Sequence, residues 1–215
     1  MLSKRLLEIS KLINEDKVVF DVGSDHALLP CFLVKEGIIS KAYACDNKEG
    51  PLNKAIENIK KYHLEGKVIP VLSNGIDDIE DDVEIITICG MGYYTVKSIL
   101  ENKDLSKYNK IIVQVNKDAD LLRKFINDKN FTIEDEIVVF DGFYYEVEVF
   151  SAKSHNKYGG LEIKYGPILL QKRDEVFIDY LKDKKKVLEE VYKKSNDPSK
   201  LETINEIEQI LNNGG

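Results

Sequence analysis

Five short apolar runs, four of them containing several β-branched residues and each followed by a helical pattern, leave this chain few ways to fold. They are KVVFDV (17–22), KAYACD (41–46), KVIPVL (67–72), EIITIC (84–89) and KIIVQV (110–115). Runs without polar alternation are strands covered on both faces, and a repeated strand-helix order predicts a doubly wound, mostly parallel α/β sheet. Gly23 stops the first run, Pro30 suits the first turn of the next helix, and Gly37 suits its end. Gly50-Pro51 opens a helix with Leu52, Ala55, Ile56, Ile59 and Tyr62 on one face, which Gly66 closes. Pro70 cannot donate to a ladder, so the third run belongs on a sheet edge. Ahead of the first strand, Leu2, Leu6, Ile9 and Ile13 have the spacing of an amphipathic helix laid across the domain.

The alternation ends at residue 131. FTIEDEIVVF (131–140), Asp141-Gly142 and FYYEVEVF (143–150) form two strands joined by a turn that favours positive φ, which predicts an antiparallel hairpin. Beyond it SHNKYGG (154–160) reads as a loop. Gly166-Pro167 then opens one long charged helix with Leu170, Phe177, Leu181, Leu188 and Val191 along a stripe. Asn196-Asp197-Pro198 breaks it, and a second helix follows with Leu201, Ile204, Ile207 and Leu211, giving an α-helical hairpin.

The net charge of -7 argues against a nucleic-acid partner only until its distribution is read. Residues 1–152 carry 19 basic and 27 acidic side chains, residues 153–200 carry 12 and 8, and residues 201–215 carry none and 3. A short basic segment therefore sits beside an acidic body. The three cysteines, Cys31, Cys45 and Cys89, have neither CxxC spacing nor a nearby His pair, so no zinc site or disulfide framework is implied. With no apolar stretch of membrane-spanning length, a cytoplasmic protein is expected.

In open α/β sheets ligands bind at the carboxyl ends of the strands. After the first strand, Asp21-Val22-Gly23-Ser24-Asp25-His26-Ala27 combines a tight turn with helix-start amides, but a lone glycine is not GxGxxG. Asp25 would obstruct a pyrophosphate and would tolerate a cationic ligand group. Asp46 ends the second strand, where a carboxylate can bond both hydroxyls of a ribose or, equally, cap a helix. Ser73-Asn74-Gly75 can offer an amide to an adenine edge, and Gly90-Met91-Gly92 either brings backbone to the cleft or simply turns. His26 has no Ser or Cys partner and is read as shaping its loop, while His63 and His155 read as surface or helix-end residues. Gln114 and Asn116 can meet a base edge or cap a loop.

The runs SKRL (3–6), DVGSDHALLP (21–30), DNKEGP (46–51), SNGI (73–76), CGMG (89–92), VQVN (113–116) and DGFYYEVEV (141–149) together resemble the bacterial tRNA (adenine-N1)-methyltransferases acting on position 22. The resemblance covers the whole chain. It implies a Rossmann-like class I methyltransferase sheet that ends in an antiparallel hairpin, whereas a dinucleotide dehydrogenase ends in a sixth parallel strand. It also implies S-adenosylmethionine as donor and a tRNA adenosine as acceptor. Gly23, Ser24, Asp25 and His26 would then line the methionine end, Asp46 and Asn47 hold the ribose, and Asn74 lie near the adenine, with Asp21, Gly75, Gly90, Met91 and Gly92 completing the cofactor site. Where the family pattern has Asp, Gly and Pro, this chain has Asn74, Tyr93 and Val115, the last two bordering the acceptor pocket.

Methyl transfer to a free lone pair needs alignment more than a strong base, so the catalytic candidates are few, Asp25 and Asn116. The expected division is a catalytic domain at 1–152 and a helical tRNA-binding element at 153–215. RNA contacts are expected from Lys4, Arg5, Lys172, Arg173, Lys182, Lys184, Lys185, Lys186, Lys193 and Lys194. Two other readings stand beside this one: a small-molecule methyltransferase of the same fold, and an RNA-binding protein whose acceptor pocket Tyr93 has closed.

Overall fold

The computed structural model describes residues 2–13, 17–77, 79–154 and 157–213, so His155 lies outside the described residues. Its strands are β1 (Val19–Val22), β2 (Ala42–Asp46), β3 (Val68–Leu72), β4 (Ile85–Met91), β5 (Lys110–Val115), β6 (Phe131–Asp141) and β7 (Phe143–Ser154). They form one sheet in the order β3-β2-β1-β4-β5-β7-β6. The first five are parallel, whereas β7 runs antiparallel to both β5 and β6. β3 is an edge, with Pro70 opposite Ala44, as its missing N–H requires. Gly142 turns the hairpin at φ 77°.

Helices cover both faces. On one lie α1 (Lys4–Lys11), α2 (Leu28–Lys35) and α3 (Glu49–Lys61), whose Ile9, Leu33, Ala55 and Ile59 pack on Val19, Ala42, Ala44 and Ile112. On the other lie α4 (Tyr93–Leu100) and α5 (Ala119–Asp128), with Val96, Leu122 and Ile126 against Phe20, Ile86, Ile111 and Val113. α3 ends before Gly66: His63 takes φ 56° and stops it, and Gly66 turns the connection to β3. Among the described residues no helix is long and apolar enough to cross a membrane.

The C-terminal region departs from its sequence pattern in two places. Gly160 already starts a helix, α6 (Gly160–Tyr165), where a loop was expected. The single long helix is instead α7 (Pro167–Lys172) and α8 (Glu175–Ser195). Between them Arg173 adopts φ 49°, with its guanidinium donating to the carbonyls of Ile210 at 2.6 Å and Leu211 at 3.3 Å, while Asp174 caps α8 through Phe177 N. Those carbonyls belong to the end of α9 (Pro198–Asn212), which packs on α8 after Asn196 and Asp197 turn the chain. A third apolar cluster joins Tyr165, Leu169, Phe177, Leu181, Ile207 and Ile210 to Val138 on the hairpin.

A fully buried arginine fixes that junction. Arg123 of α5 pairs through Nε with Glu136 Oε1 at 2.6 Å and through Nη2 with Glu146 Oε2 at 2.7 Å and Glu148 Oε1 at 3.0 Å. Glu136 also accepts from Ile168 N and Leu169 N of α7, and Glu146 from Tyr180 Oη of α8. Gly166 turns into α7 at φ 91°, and a Cβ there would lie 2.7 Å from Glu136 Oε1. Burial drives the Glu148 carboxyl well above its ordinary range, more than the nearby Arg123 lowers it. Burial also raises Glu136, again against the pull of Arg123.

Replacing Arg123 with Met should destabilise the protein by about 3–5 kcal/mol at pH 7, the scale of breaking a buried ion pair. The uncompensated carboxyls would bind protons more tightly folded than unfolded, so the loss should shrink towards pH 5. Urea unfolding at the two pH values measures both effects.

Candidate active site

The carboxyl ends of the parallel strands meet at one edge, and backbone geometry fixes the loops that leave them. Gly23 turns at φ 68°, a left-handed backbone that favours glycine, and the Met91 methyl fills the space a Cβ would take, at 2.1 Å. A single 3-10 turn, Asp25–Ala27, follows with His26 at φ 66° and Ala27 at φ 53°. Asn58 Nδ2 donates to His26 O at 2.8 Å, and Ser24 N donates to Cys45 O at 2.9 Å, tying the loop to α3 and β2. His26 Nε2 stands 3.4 Å from Asp25 Oδ1.

Beneath this loop Asp21 is buried, 5% exposed, and accepts from Thr87 Oγ1 at 2.6 Å and Ser24 Oγ at 2.7 Å. Burial lifts its carboxyl to about 6, although both hydrogen bonds pull it down. On the neighbouring strands Gln114 is fully buried and organises the β4 loop. Its Oε1 accepts from Arg5 Nη1 at 2.7 Å and Gly90 N at 3.1 Å, and its Nε2 donates to Val115 O at 2.7 Å. Asn116 completes the clamp, its Nδ2 donating to Gly90 O at 2.9 Å and its N–H to Met91 O at 2.8 Å.

A cavity of about 570 Å³ opens at this edge. Gly23 and Asp25 contribute from the first loop, Asp46 and Asn47 from the second, Asn74 and Gly75 from the third, and Met91 from the fourth. Asp46 Oδ1 accepts from Lys48 N at 3.0 Å, a local turn and not a helix cap, which leaves its second oxygen free of that bond. A second cavity of about 340 Å³ lies beside the first and under α1, walled by Arg5, Asp21, Ser24, Leu28 and Cys89, and it shares Gly23 and Asp25 with the larger one.

His26, Gly90, Gly92 and Asn116 line neither cavity. Gly92 N-caps α4 in extended backbone that any residue adopts. Tyr93 packs inward on the core and edge-on to Tyr94, and Val115 is buried, so neither closes either cavity. Missing from the sequence reading are Thr95, Ser98 and Asn102, which line the larger cavity from α4 and the turn after it. Their signal was available as a polar stripe opposite Val96 and Leu100.

The basic residues divide in the same way. Arg5 is built into the strand-end edge, its backbone N–H donating to Asp141 Oδ2 at 3.1 Å, and Lys4 is exposed beside it. Lys172 is paired with Asp135, Arg173 is spent on the α9 carbonyls, and Lys182 lies 3.1 Å from Asp179. Lys184 covers the Tyr165 and Tyr180 rings, and Lys185 sits between Glu189 and Glu208. Lys186, Lys193 and Lys194 are exposed on α8 with no acidic partner among the described residues.

Comparison with known proteins finds relatives over most of the chain. Residues 2–147 match the family described as a methyltransferase domain. The tRNA (adenine(22)-N(1))-methyltransferase of Bacillus subtilis (strain 168) is 32% identical over 186 residues, covering 82% of this chain and 78% of that protein. Streptococcus pneumoniae Sp1610, solved in complex with S-adenosyl-L-methionine, matches with a TM-score of 0.90 at 30% identity, over 98% of this chain and 100% of that one. M. capricolum TrmK, solved with S-adenosyl-homocysteine, gives 0.83 at 32% identity, over 98% and 96%.

The buried Asp21 carboxyl sets a pH signature. Its folded pKa lies above the unfolded one, so Asp21 costs stability as pH rises from about 4 through 6, on the order of 3 kcal/mol in all. Asp21→Asn removes the titration. The variant should therefore gain on the parent between pH 4 and pH 7, read as the difference in urea-unfolding free energy.

Proposed function

Because the chain belongs to the tRNA (adenine(22)-N(1))-methyltransferase family, we propose that it transfers a methyl group from S-adenosylmethionine to N1 of an adenosine in tRNA, at position 22. The observation that carries this reading is the wall shared by the two cavities at Gly23 and Asp25, where a methyl group can pass from a donor on one side to a base on the other. The donor's parts meet suitable groups in the larger cavity. Asp46, with one carboxylate oxygen uncommitted to Lys48, suits the ribose, and Asn47 flanks it. Asn74 and Gly75, backed by Ile99, suit a flat base. Asp25 suits the cationic end.

When bound, S-adenosylmethionine supplies a methyl group on a positively charged sulfur, already electrophilic towards the N1 lone pair. The protein's task is therefore alignment. Asp25 has a side chain 78% exposed on the shared wall, where it can accept a hydrogen bond from the exocyclic amine, strengthen N1 as a nucleophile and help remove the later proton. Asn116 works one step back by holding Gly90 and Met91 in place. Because N1 lies on the Watson–Crick edge, the target base must leave its stack before it can react.

Residues 1–152 form the catalytic unit in this reading, and 153–215 grip the RNA. Most basic residues of the helical part hold the protein together, which leaves Lys186, Lys193 and Lys194 as the phosphate contacts. Lys4 and Arg5 serve at the other end, beside the smaller cavity.

tRNA incubated with the protein and S-adenosylmethionine should yield 1-methyladenosine on nucleoside mass spectrometry, and a methylated small molecule in place of RNA would overturn the assignment. Asp46→Ala should weaken donor binding by about 1.5–3 kcal/mol, the scale of hydrogen bonds to a charged group, with folding retained. Calorimetry decides it. Changing Lys186, Lys193 and Lys194 together to Gln should flatten the plot of log tRNA affinity against log salt by roughly 2 to 3 units while donor affinity holds.

A further inference from the structure

Of the large apolar side chains among the described residues, Phe143 is the most exposed, at 74%, and its place in the fold gives that exposure a use. The last β5–β7 pair is Gln114 with Val147 and β5 ends one residue later at Val115, so β7 residues 143–145 run on past the carboxyl end of β5, about 10 Å at strand rise. The hairpin tip therefore stands above the edge that holds both cavities. Side chains alternate along a strand, so Phe143 shares a face with Tyr145. The Arg5 guanidinium lies 4.9 Å from the Tyr145 ring centroid, donates to Gln114 and walls the smaller cavity. Phe143, Tyr145 and Arg5 thus form a ladder from the hairpin tip down to the acceptor cavity. Phe140 is engaged with Tyr144, at 4.8 Å between centroids, whereas Phe143 has no ring partner among the described residues.

We propose that Phe143, above the Arg5–Tyr145 stack, is a platform on which an unpaired tRNA base next to the target adenosine stacks. The proposal rests on the tRNA reading above and deepens it. A base leaving its stack exposes the face of its neighbour, and an aromatic ring beside a cation covers that face without regard to sequence. The charge beneath the ring favours this occupant over a second copy of the chain, since Arg5 is met there by the neutral Gln114 side chain.

The test uses the full chain with Phe143→Ala, Phe143→Leu and Phe143→Trp, and a tRNA carrying 2-aminopurine beside the acceptor adenosine. Phe143→Ala should raise KM for tRNA roughly five- to a hundredfold, the range for losing one base–aromatic stack, with S-adenosylmethionine affinity unchanged. The quenching of 2-aminopurine on binding should disappear with Ala and Leu and return with Trp. Parent-like behaviour of the Ala or Leu variant would overturn the platform. So would sedimentation showing that Phe143→Ala merely turns a dimer into a monomer with tRNA affinity intact. The quenching needs no turnover, so failure of the parent to methylate tRNA would sink the earlier reading while ring-dependent quenching still supported this one.

Discussion

A single buried guanidinium holds the two halves of this protein in register. Arg123 offers one positive charge to Glu136, Glu146 and Glu148, so the cluster cannot be satisfied by ion pairing alone. Part of the remainder is met by the α7 amides on Glu136 and by the Tyr180 hydroxyl on Glu146, while burial shifts Glu136 and Glu148 towards their neutral forms. Each of those partners belongs to a different helix. Were the C-terminal helices removed, Glu136 would lose two donors and Val138 its apolar cover, so the helices are part of how the hairpin is stabilised.

The same economy governs the strand ends, where few side chains act directly and many act by holding backbone. Gln114, buried and uncharged, links Arg5 of α1, Gly90 of the β4 loop and Asn116 after β5. Loop shape therefore depends on contacts between elements far apart in sequence. Met91 against Gly23 is the apolar counterpart, joining the loop after β1 to the end of β4 by shape alone.

Much of this was legible in the amino-acid sequence because the relevant signals are local. Pro70 places β3 at an edge, Asp141-Gly142 announces the hairpin, and Asp46 is recognisable by its place at a strand end. The α7–α8 break was not legible, because Arg173 is no habitual left-handed residue and its conformation is held by carbonyls on α9. The buried acids were equally hidden. Glu146 and Glu148 alternate along β7 as solvent-facing residues would, and it is the arginine from α5 together with the C-terminal helices that makes that face an interior. Several lysines expected to meet RNA also have acidic or aromatic neighbours within the protein, which composition cannot show because it counts charges and not their partners.

The arm made by α8 and α9 has one further property. Tyr144 of the hairpin donates to Asp183 at 3.0 Å, and beyond that point α8 continues to Ser195, about 18 Å at helical rise. Lys186, Lys193 and Lys194 ride on this stretch, on a helix anchored at its base by the Asp174 cap. Their distance from the strand ends is thus set by a count of residues. A rigid helix of fixed length acts as a ruler, and one inserted residue would swing the outer lysines by about 100° around the axis. On the proposed reading, the span between these lysines and the strand-end cavities would set which nucleotide can reach them.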